Sequence, residues 1–284
     1  PTKASIRLPD LDRTVRPDVA LRYPYCHAGR FGQASRDYVM YQLRLGVNRA
    51  PGLAGIAGLA HGIDKVHCRD SIKKAHPEYY ALMNGRRDME GYGKPCFSSR
   101  ELIKQNAAYA RAIFDHFDQP LVSVMPGDGL GSICRCPLCE SRADPARGWY
   151  GQFSDYVWSY VNRVAKQVYK THPDRTILCN AYTTYRSPPA DIEKLSPNLQ
   201  VGICQLRRRF VDPEKREEIE TLREKWLVKM PDRSKLFISD YLLEAWREQF
   251  KGLPAYYPHA IAEDVRSLKG MLKGEFTEVS AKGP

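Results

Sequence analysis

The sequence lacks the features that most readily assign a protein to a function class. Among its 284 residues, no run approaches the ~20 apolar residues that a membrane-spanning helix needs, and its first residues lack the apolar core of a secretion signal. It contains no serine nucleophile elbow, no Walker loop and no dinucleotide-binding fingerprint. The sequence therefore argues against a membrane-spanning helix and against several common enzyme classes. Any inference about function has to come from the remaining patterns.

Cysteine is also sparse, and the basic residues form no stripe with aromatic residues on one element. The eight cysteines are too few for a disulfide-dense miniature fold. The formal net charge is +11, yet the only dense basic run, Arg207 to Arg209, leads into a mixed-charge stretch typical of a solvated helix face. We therefore do not expect nucleic-acid binding. The charge favours acidic partners such as a sulfated or uronic polysaccharide.

Short apolar runs alternate with helical stretches, which is typical of an α/β protein with parallel strands. We predict strands at about residues 121–125, 176–182, 200–205, 235–240 and 274–279. We predict helices at about 36–45, 98–117, 148–171, 213–228 and 260–272, with strand edge and loop at 51–62. The pattern predicts a TIM-like (β/α) barrel over residues 21–284, after an N-terminal extension at 1–20. Because five or six units are recognisable and a closed barrel has eight, we expect it to be incomplete or truncated.

For two of the predicted helices the sequence also predicts a detail, an N-cap for one and a buried face for the other. Ser98 and Glu101 have the spacing of a capping box, with Ser98 as the N-cap. The helix at 148–171 has an apolar stripe that we assign to the core, formed by Trp149, Phe153, Tyr156, Val157, Tyr160, Val164 and Val168.

Three carboxylates, Asp128, Asp240 and Glu278, follow or end predicted strands. In parallel α/β folds the chemistry lies at the carboxyl ends of the strands, and a glycosidase needs two carboxyl groups around the scissile bond. We assign Asp128 as the general acid, partly desolvated, and Glu278 or Asp240 as its partner, and we expect all three to converge on one cleft. This chemistry requires no cofactor. For Asp128, an ordinary turn aspartate is the alternative, since Asp-Gly is common turn chemistry.

Aromatic and histidine side chains supply the candidate substrate contacts. His61 follows a glycine-rich apolar run, and Tyr182 ends a predicted strand. Histidine can hydrogen-bond a sugar hydroxyl or orient a carboxylate, although a structural histidine is the alternative. Trp246, together with Tyr257, is a candidate stacking platform, although packing is the alternative.

Three cysteines, Cys134, Cys136 and Cys139, lie within six positions. Thiolates at such spacing can converge on one Zn²⁺, and Cys96 or a histidine can complete the tetrahedral set as a structural site. Disulfides, within the loop or to Cys96, are the competing interpretation, and free thiols are the third.

Several of these motifs occur in a recognisable order along residues 20 to 284. They are His61, the segment His76 to Gly85, Cys96-Phe97-Ser98, the segment Ser123 to Gly129, and the cysteine cluster. This order resembles the bacterial family called domain of unknown function 4838. Gly127 stands where that family usually has asparagine, and the family's usual N-terminal accessory domain and C-terminal helical region lie outside this sequence.

The family is similar to barrel glycoside hydrolases of the alpha-glucuronidase and beta-hexosaminidase type. The resemblance therefore implies a secreted or periplasmic carbohydrate-active enzyme. Our hypothesis is a glycoside hydrolase that acts on a polysaccharide or oligosaccharide, including anionic ones. The alternative is a non-catalytic carbohydrate-binding or metal-stabilised structural module, which would not need a pair of carboxylates.

Overall fold

The architecture is an α/β fold built on one parallel sheet. A computed structural model describes residues 21–26, 61–62, 67, 69–242 and 257–279. Its strands are β1 (Leu21–Cys26), β2 (Leu82–Met83), β3 (Arg86–Arg87), β4 (Leu121–Ser123), β5 (Thr176–Ala181), β6 (Leu199–Gln205), β7 (Leu236–Leu242) and β8 (Gly274–Val279). Its helices are α1 (Asp70–Ala75), α2 (Arg100–Phe117), α3 (Ser154–Tyr169), α4 (Pro213–Lys229) and α5 (Pro258–Ser267).

The sheet has the strand order of a barrel segment. Six strands lie in the order β1-β8-β7-β6-β5-β4, and every neighbouring pair is parallel. The first strand in the chain pairs along its whole length with the last, from Leu21 opposite Gly274 to Cys26 opposite Val279. That pairing is how a barrel brings its two ends together. The fold is therefore a partial TIM-like barrel, as predicted, and β2 and β3 form a separate antiparallel hairpin.

The predicted elements agree closely with the observed ones where the chain is described. Each of the five predicted strands is present, within two residues at either end. The helix predicted at 260–272 is observed at Pro258–Ser267 and is followed by a turn. The expected extension at 1–20, the helix at 36–45 and most of the segment at 51–62 lie outside the described residues.

The predicted N-cap of α2 was off by one residue. Ser99, not Ser98, precedes the helix, and its hydroxyl accepts a hydrogen bond from Leu102 N at 3.3 Å. The Ser98 hydroxyl instead donates to Leu138 O at 3.2 Å. Sequence spacing could not distinguish two adjacent serines, because either can cap a helix.

The prediction for α3 was partly wrong. The helix begins at Ser154, because residues 148–153 form turns with Gly148 at φ 67°. Trp149 therefore precedes the helix and is 59% exposed, so it does not belong to the core. The remaining six residues of the predicted stripe, from Phe153 to Val168, are buried as expected.

Side chains alternate between the two faces of the sheet. One face packs against the helices and belongs to the main apolar core, with Val201, Ile203 and Ile238 among its members. Gly202 lies on the opposite face, beside Asn180 on β5 and Phe237 on β7. A Cβ atom at Gly202 would lie 2.3 Å from both the Asn180 amide oxygen and the Phe237 ring. The close fit of these three neighbours requires glycine.

A buried ionic network joins the carboxyl half of the sheet to two helices. Arg207, just after β6, pairs with Asp240 on β7 at 3.0 Å, with Asp264 on α5 at 2.6 Å, and with Glu275 on β8. Arg223 on α4 adds two bonds of 2.7 Å to Asp264. Both arginines are buried. The sequence indicated a solvated surface instead, because Arg207 lies in the basic run and Arg223 in the mixed-charge stretch that follows it. An arginine holds several carboxylates here because its fork of donors serves them simultaneously.

We expect Gly202→Ala to destabilise the fold by about 1–3 kcal/mol, because the added methyl group overpacks the site between Asn180 and Phe237. The matched control is Gly131→Ala, where the nearest atom to the added Cβ is 3.8 Å away. The control should change the free energy of unfolding by less than about 0.5 kcal/mol. Urea denaturation checks both, and equal effects would contradict the close packing at Gly202.

We expect Arg207→Met to cost about 3–5 kcal/mol, because it leaves buried Asp240 without its cationic partner and buried Asp264 with Arg223 alone. Arg175→Met is the control, since its partner Asp118 is 88% exposed, and it should cost at most about 1 kcal/mol. The two midpoints of chemical denaturation measure the difference. An Arg207 variant as stable as the Arg175 variant would show that the network contributes little.

Candidate functional site

A cleft of about 710 Å³ opens at the carboxyl end of β4. One side is the loop after β4, from Pro126 to Leu130, and the other is a segment between Asp88 and Phe97. His61 also lines it. The position agrees with the rule that parallel α/β sheets place their sites beyond the carboxyl ends of the strands.

Asp128, Tyr182 and His61 meet at this cleft. The Tyr182 hydroxyl donates to Asp128 Oδ1 at 3.3 Å, and the ring centroids of His61 and Tyr182 are 6.2 Å apart. His61 Nδ1 lies 2.7 Å from the carbonyl of Pro126, so in the neutral ring Nδ1 carries the proton. The lone pair on Nε2 then remains as an acceptor. Gly62 fixes this segment against β4, because a Cβ there would lie 2.0 Å from Ser123 O.

Glu278 lies on the sheet face that is not covered by helices, beside Tyr241 on the neighbouring strand. Burial raises the pKa of Tyr241 well above its usual range, with further contributions from Cys204, Tyr182 and Glu278. The Tyr241 hydroxyl lies 3.9 Å from Cys204 Sγ. Tyr182, Tyr241 and Glu278 thus lie at or just beyond the carboxyl-terminal residues of β5, β7 and β8.

Asp240 does not join this group. It precedes Tyr241, so its side chain points to the helix-covered face, where it is fully buried and paired with Arg207. Burial raises the pKa of Asp240 to about 6, and the charge of Arg207 only partly opposes that shift. The expectation that all three carboxylates converge is therefore not what the geometry shows, because Asp240 and Glu278 lie on opposite faces of the sheet.

Asp128 also differs from expectation, because its side chain is exposed rather than partly desolvated. Its Oδ1 additionally accepts from the amide of Gly129 at 2.8 Å, as in an ordinary Asp-Gly turn. Two of the three aromatic candidates lie within the described residues: Tyr182 lies beside Asp128, and the Tyr257 hydroxyl donates to Tyr241 O at 3.3 Å. Trp246 lies outside the described residues.

The far side of the cleft was not predicted from the sequence. Asp88, Glu90, Tyr92 and Lys94 line it, and Tyr92 is 67% exposed. Lys94 Nζ lies 3.5 Å from Asp88 Oδ2, so the charges of these two side chains partly neutralise each other. These residues belong to a segment with two-residue strands, too short for periodicity to reveal. Its two glycine turns, at Gly85 and Gly91 to Gly93, were the only available signal.

The four cysteines Cys96, Cys134, Cys136 and Cys139 form one buried cluster. Their sulfur atoms all lie within 4.8 Å of one another, and Cys96 Sγ is 3.6 Å from Cys139 Sγ and 3.8 Å from Cys136 Sγ. A disulfide has a sulfur separation of ~2.05 Å, so the cysteines are not bridged. Four sulfurs each ~2.3 Å from a central Zn²⁺ have edges of roughly 3.8 Å, which fits this arrangement.

Polar groups around the cluster favour thiolate. The amides of Leu82 and Cys136 donate to Cys134 Sγ at 3.1 and 3.4 Å. Hydrogen bonds with Cys134 and then Cys96 lower the pKa of Cys139 to about 3, whereas hydrogen bonds with Cys134 and then Cys139 raise the pKa of Cys96. A lowered pKa favours the thiolate, which is the form of cysteine that binds metals.

Comparisons with known proteins were informative at the level of the family. A crystal structure of the GH20 exo beta-N-acetylglucosaminidase from Vibrio harveyi, in complex with N-acetylglucosamine, is similar over 75% of this chain, at 11% identity and a TM-score of 0.39. The chain spans only 33% of that enzyme's length. No curated protein matches. Among the described residues, no helix is long and apolar enough to cross a membrane. The model of the family described as domain of unknown function (DUF4838) matches residues 1–280, and the chain therefore belongs to that family.

Proposed function

We propose that this chain is a glycoside hydrolase domain whose carboxyl pair is Asp128 and Glu278. The observation that carries the proposal is the hydrogen bond from Tyr182 to Asp128 at the mouth of the cleft. Glu278 on β8 lies opposite Tyr241 on β7, on the sheet face that is not covered by helices. Asp128 follows β4 and Glu278 is near the end of β8, so both carboxylates lie towards the carboxyl ends of the strands, where barrel enzymes hold their catalytic groups.

The contacts favour different roles for the two carboxyl groups. Asp128 Oδ1 accepts hydrogen bonds from the Tyr182 hydroxyl and from the Gly129 amide, so both of its contacts use it as an acceptor. Asp128 therefore suits the role of base or nucleophile better than the general-acid role that its sequence context indicated. Glu278, which is half-buried beside Tyr241, is then the proposed acid. His61, through Nε2, can accept a hydrogen bond from a sugar hydroxyl.

The lining of the cleft favours a neutral or amine-bearing sugar. Among its described residues, Asp88, Glu90 and Asp128 are acidic and Lys94 is the basic one, apart from His61. This local balance opposes the net charge of +11, which attracts anionic polymers only at long range. The exposed ring of Tyr92 offers a face for a pyranose to stack on. An extracytoplasmic location, expected from the family resemblance, remains part of the proposal.

We expect Asp128→Asn to lower kcat by about 10²–10⁴-fold, the usual contribution of a general acid or base, with a smaller change in KM. The measurement uses a panel of 4-nitrophenyl glycosides that carry neutral, amino and uronic sugars. Asp174→Asn is the matched control, because Asp174 is 74% exposed at the amino end of β5, away from the cleft. Its kcat should equal that of the unsubstituted protein.

The alternative function is a non-catalytic carbohydrate-binding module, which the exposure of Asp128 favours. It predicts that no glycoside in the panel is cleaved, while sugars still bind and Tyr92→Ala weakens that binding. Unchanged hydrolysis in Asp128→Asn would also reject the assigned residue.

We propose in addition that the four-cysteine cluster holds a structural Zn²⁺. What supports the assignment is the fit of the sulfur separations to a tetrahedral set and the amide donors directed at Cys134 Sγ. Four buried thiolates would repel one another strongly, and a divalent cation together with these donors offsets that charge. Such a closed set, with four protein ligands, is typical of structural rather than catalytic zinc.

We expect one zinc ion per chain by elemental analysis, because one tetrahedral set of thiolates is present among the described residues. Cys139→Ser should reduce the zinc content and lower the melting temperature, since metal binding contributes to folding. Cys179→Ser is the control: that cysteine is equally buried but lies outside the cluster, and its zinc content should not change. Purified protein that neither contains nor takes up zinc would contradict the proposal.

A further inference from the structure

The two sides of the cleft come from separate parts of the chain. We name the segment from Tyr80 to Phe97 the wall segment, because its residues from Asp88 onward form one side. The other side is the loop that begins after β4 and carries Asp128, which we name the Asp128 loop. The shape of the cleft therefore depends on whatever holds the wall segment against that loop.

The wall segment has little internal structure to fix it. Its strands β2 and β3 are two residues long, and most of its middle, from Asn84 to Tyr92, is exposed or half-buried. Its backbone bonds are mostly local, such as Ala81 N to Lys94 O at 2.6 Å and Asp88 N to Ala81 O at 2.9 Å. Its buried residues lie at its two ends, Tyr80 and Ala81 at one and Cys96 and Phe97 at the other. Segments with few buried apolar contacts have low local stability.

The cysteine cluster joins the wall segment to the Asp128 loop. Cys96 belongs to the wall segment, whereas Cys134, Cys136 and Cys139 belong to the loop that begins after β4. Two bonds reinforce the junction: Leu82 N donates to Cys134 Sγ at 3.1 Å, and Arg135 N donates to Leu82 O at 2.9 Å. A metal held by all four sulfurs would therefore link both sides of the cleft.

We infer that the cluster acts as a metal-dependent clamp that sets the width of the cleft. With metal bound, Cys96 and Leu82 are fixed to the Asp128 loop, and the wall segment stands opposite Asp128. Without metal, the junction is reduced to thiol contacts, the bond from the Leu82 amide to Cys134 Sγ and one backbone bond, so the wall segment opens locally. The structural part of this inference rests on the zinc site, and its effect on a sugar ligand rests on the proposed glycosidase function.

Amide hydrogen exchange tests the clamp without any ligand. The full chain is compared as zinc-loaded protein and after removal of zinc by a chelator. We expect the amides of Ala81, Asp88 and Lys94 to exchange at least about tenfold faster without zinc, while those of β5 to β7 change little. Equal protection of the wall segment in both forms overturns the clamp. Uniform loss of protection throughout the sheet also overturns it, because the cluster would then support the whole fold.

A second measurement connects the clamp to the cleft. For a 4-nitrophenyl glycoside that the panel shows to be hydrolysed, zinc removal should raise KM on the order of tenfold, and re-addition of zinc should restore it. Cys139→Ser should behave as the zinc-free protein and Cys179→Ser as the zinc-loaded protein. If no glycoside is hydrolysed, the glycosidase proposal fails while the exchange result still decides the clamp. Faster exchange with an unchanged KM would overturn the link to the cleft.

Discussion

The parallel pairing of the strands is the constraint on which the rest of the structure depends. All six strands of the main sheet run in one direction, and β1 lies beside β8. Their carboxyl ends therefore meet at one edge, and the loops that follow them must share that edge. Asp128, Tyr182 and Glu278, which are distant in sequence, share one end of the fold for this reason alone.

The alternation of side chains along each strand places neighbouring residues on opposite faces of the sheet. Asp240 and Tyr241 are adjacent in β7, yet the first faces the helices and the second faces the opposite side. The raised pKa of Asp240 would mark it as a catalytic acid by value alone. Its pairing with the buried Arg207 shows instead that this shift arises from burial at a helix–sheet junction.

The cysteine cluster lies where two segments outside the main sheet meet. The Asp128 loop follows β4, and the middle of the segment opposite it, from Asn84 to Tyr92, is exposed or half-buried. A compact set of sulfurs needs few residues to join two irregular segments, because metal–thiolate bonds do not require extended secondary structure. In the proposed clamp, the cluster joins the two sides of the cleft and so relates the proposed zinc site to the proposed sugar site.

The sequence alone determined the fold class and the strand positions, because apolar runs bounded by turn residues report burial directly. It also indicated that Cys134, Cys136 and Cys139 lie close together, since their spacing is local. Only the tertiary structure decided which of two adjacent serines caps α2 and that Trp149 is exposed. It also placed Cys96 in the cluster and Asp240 on the opposite face from Glu278. These depend on the contacts of each side chain with distant parts of the chain, which no local pattern encodes.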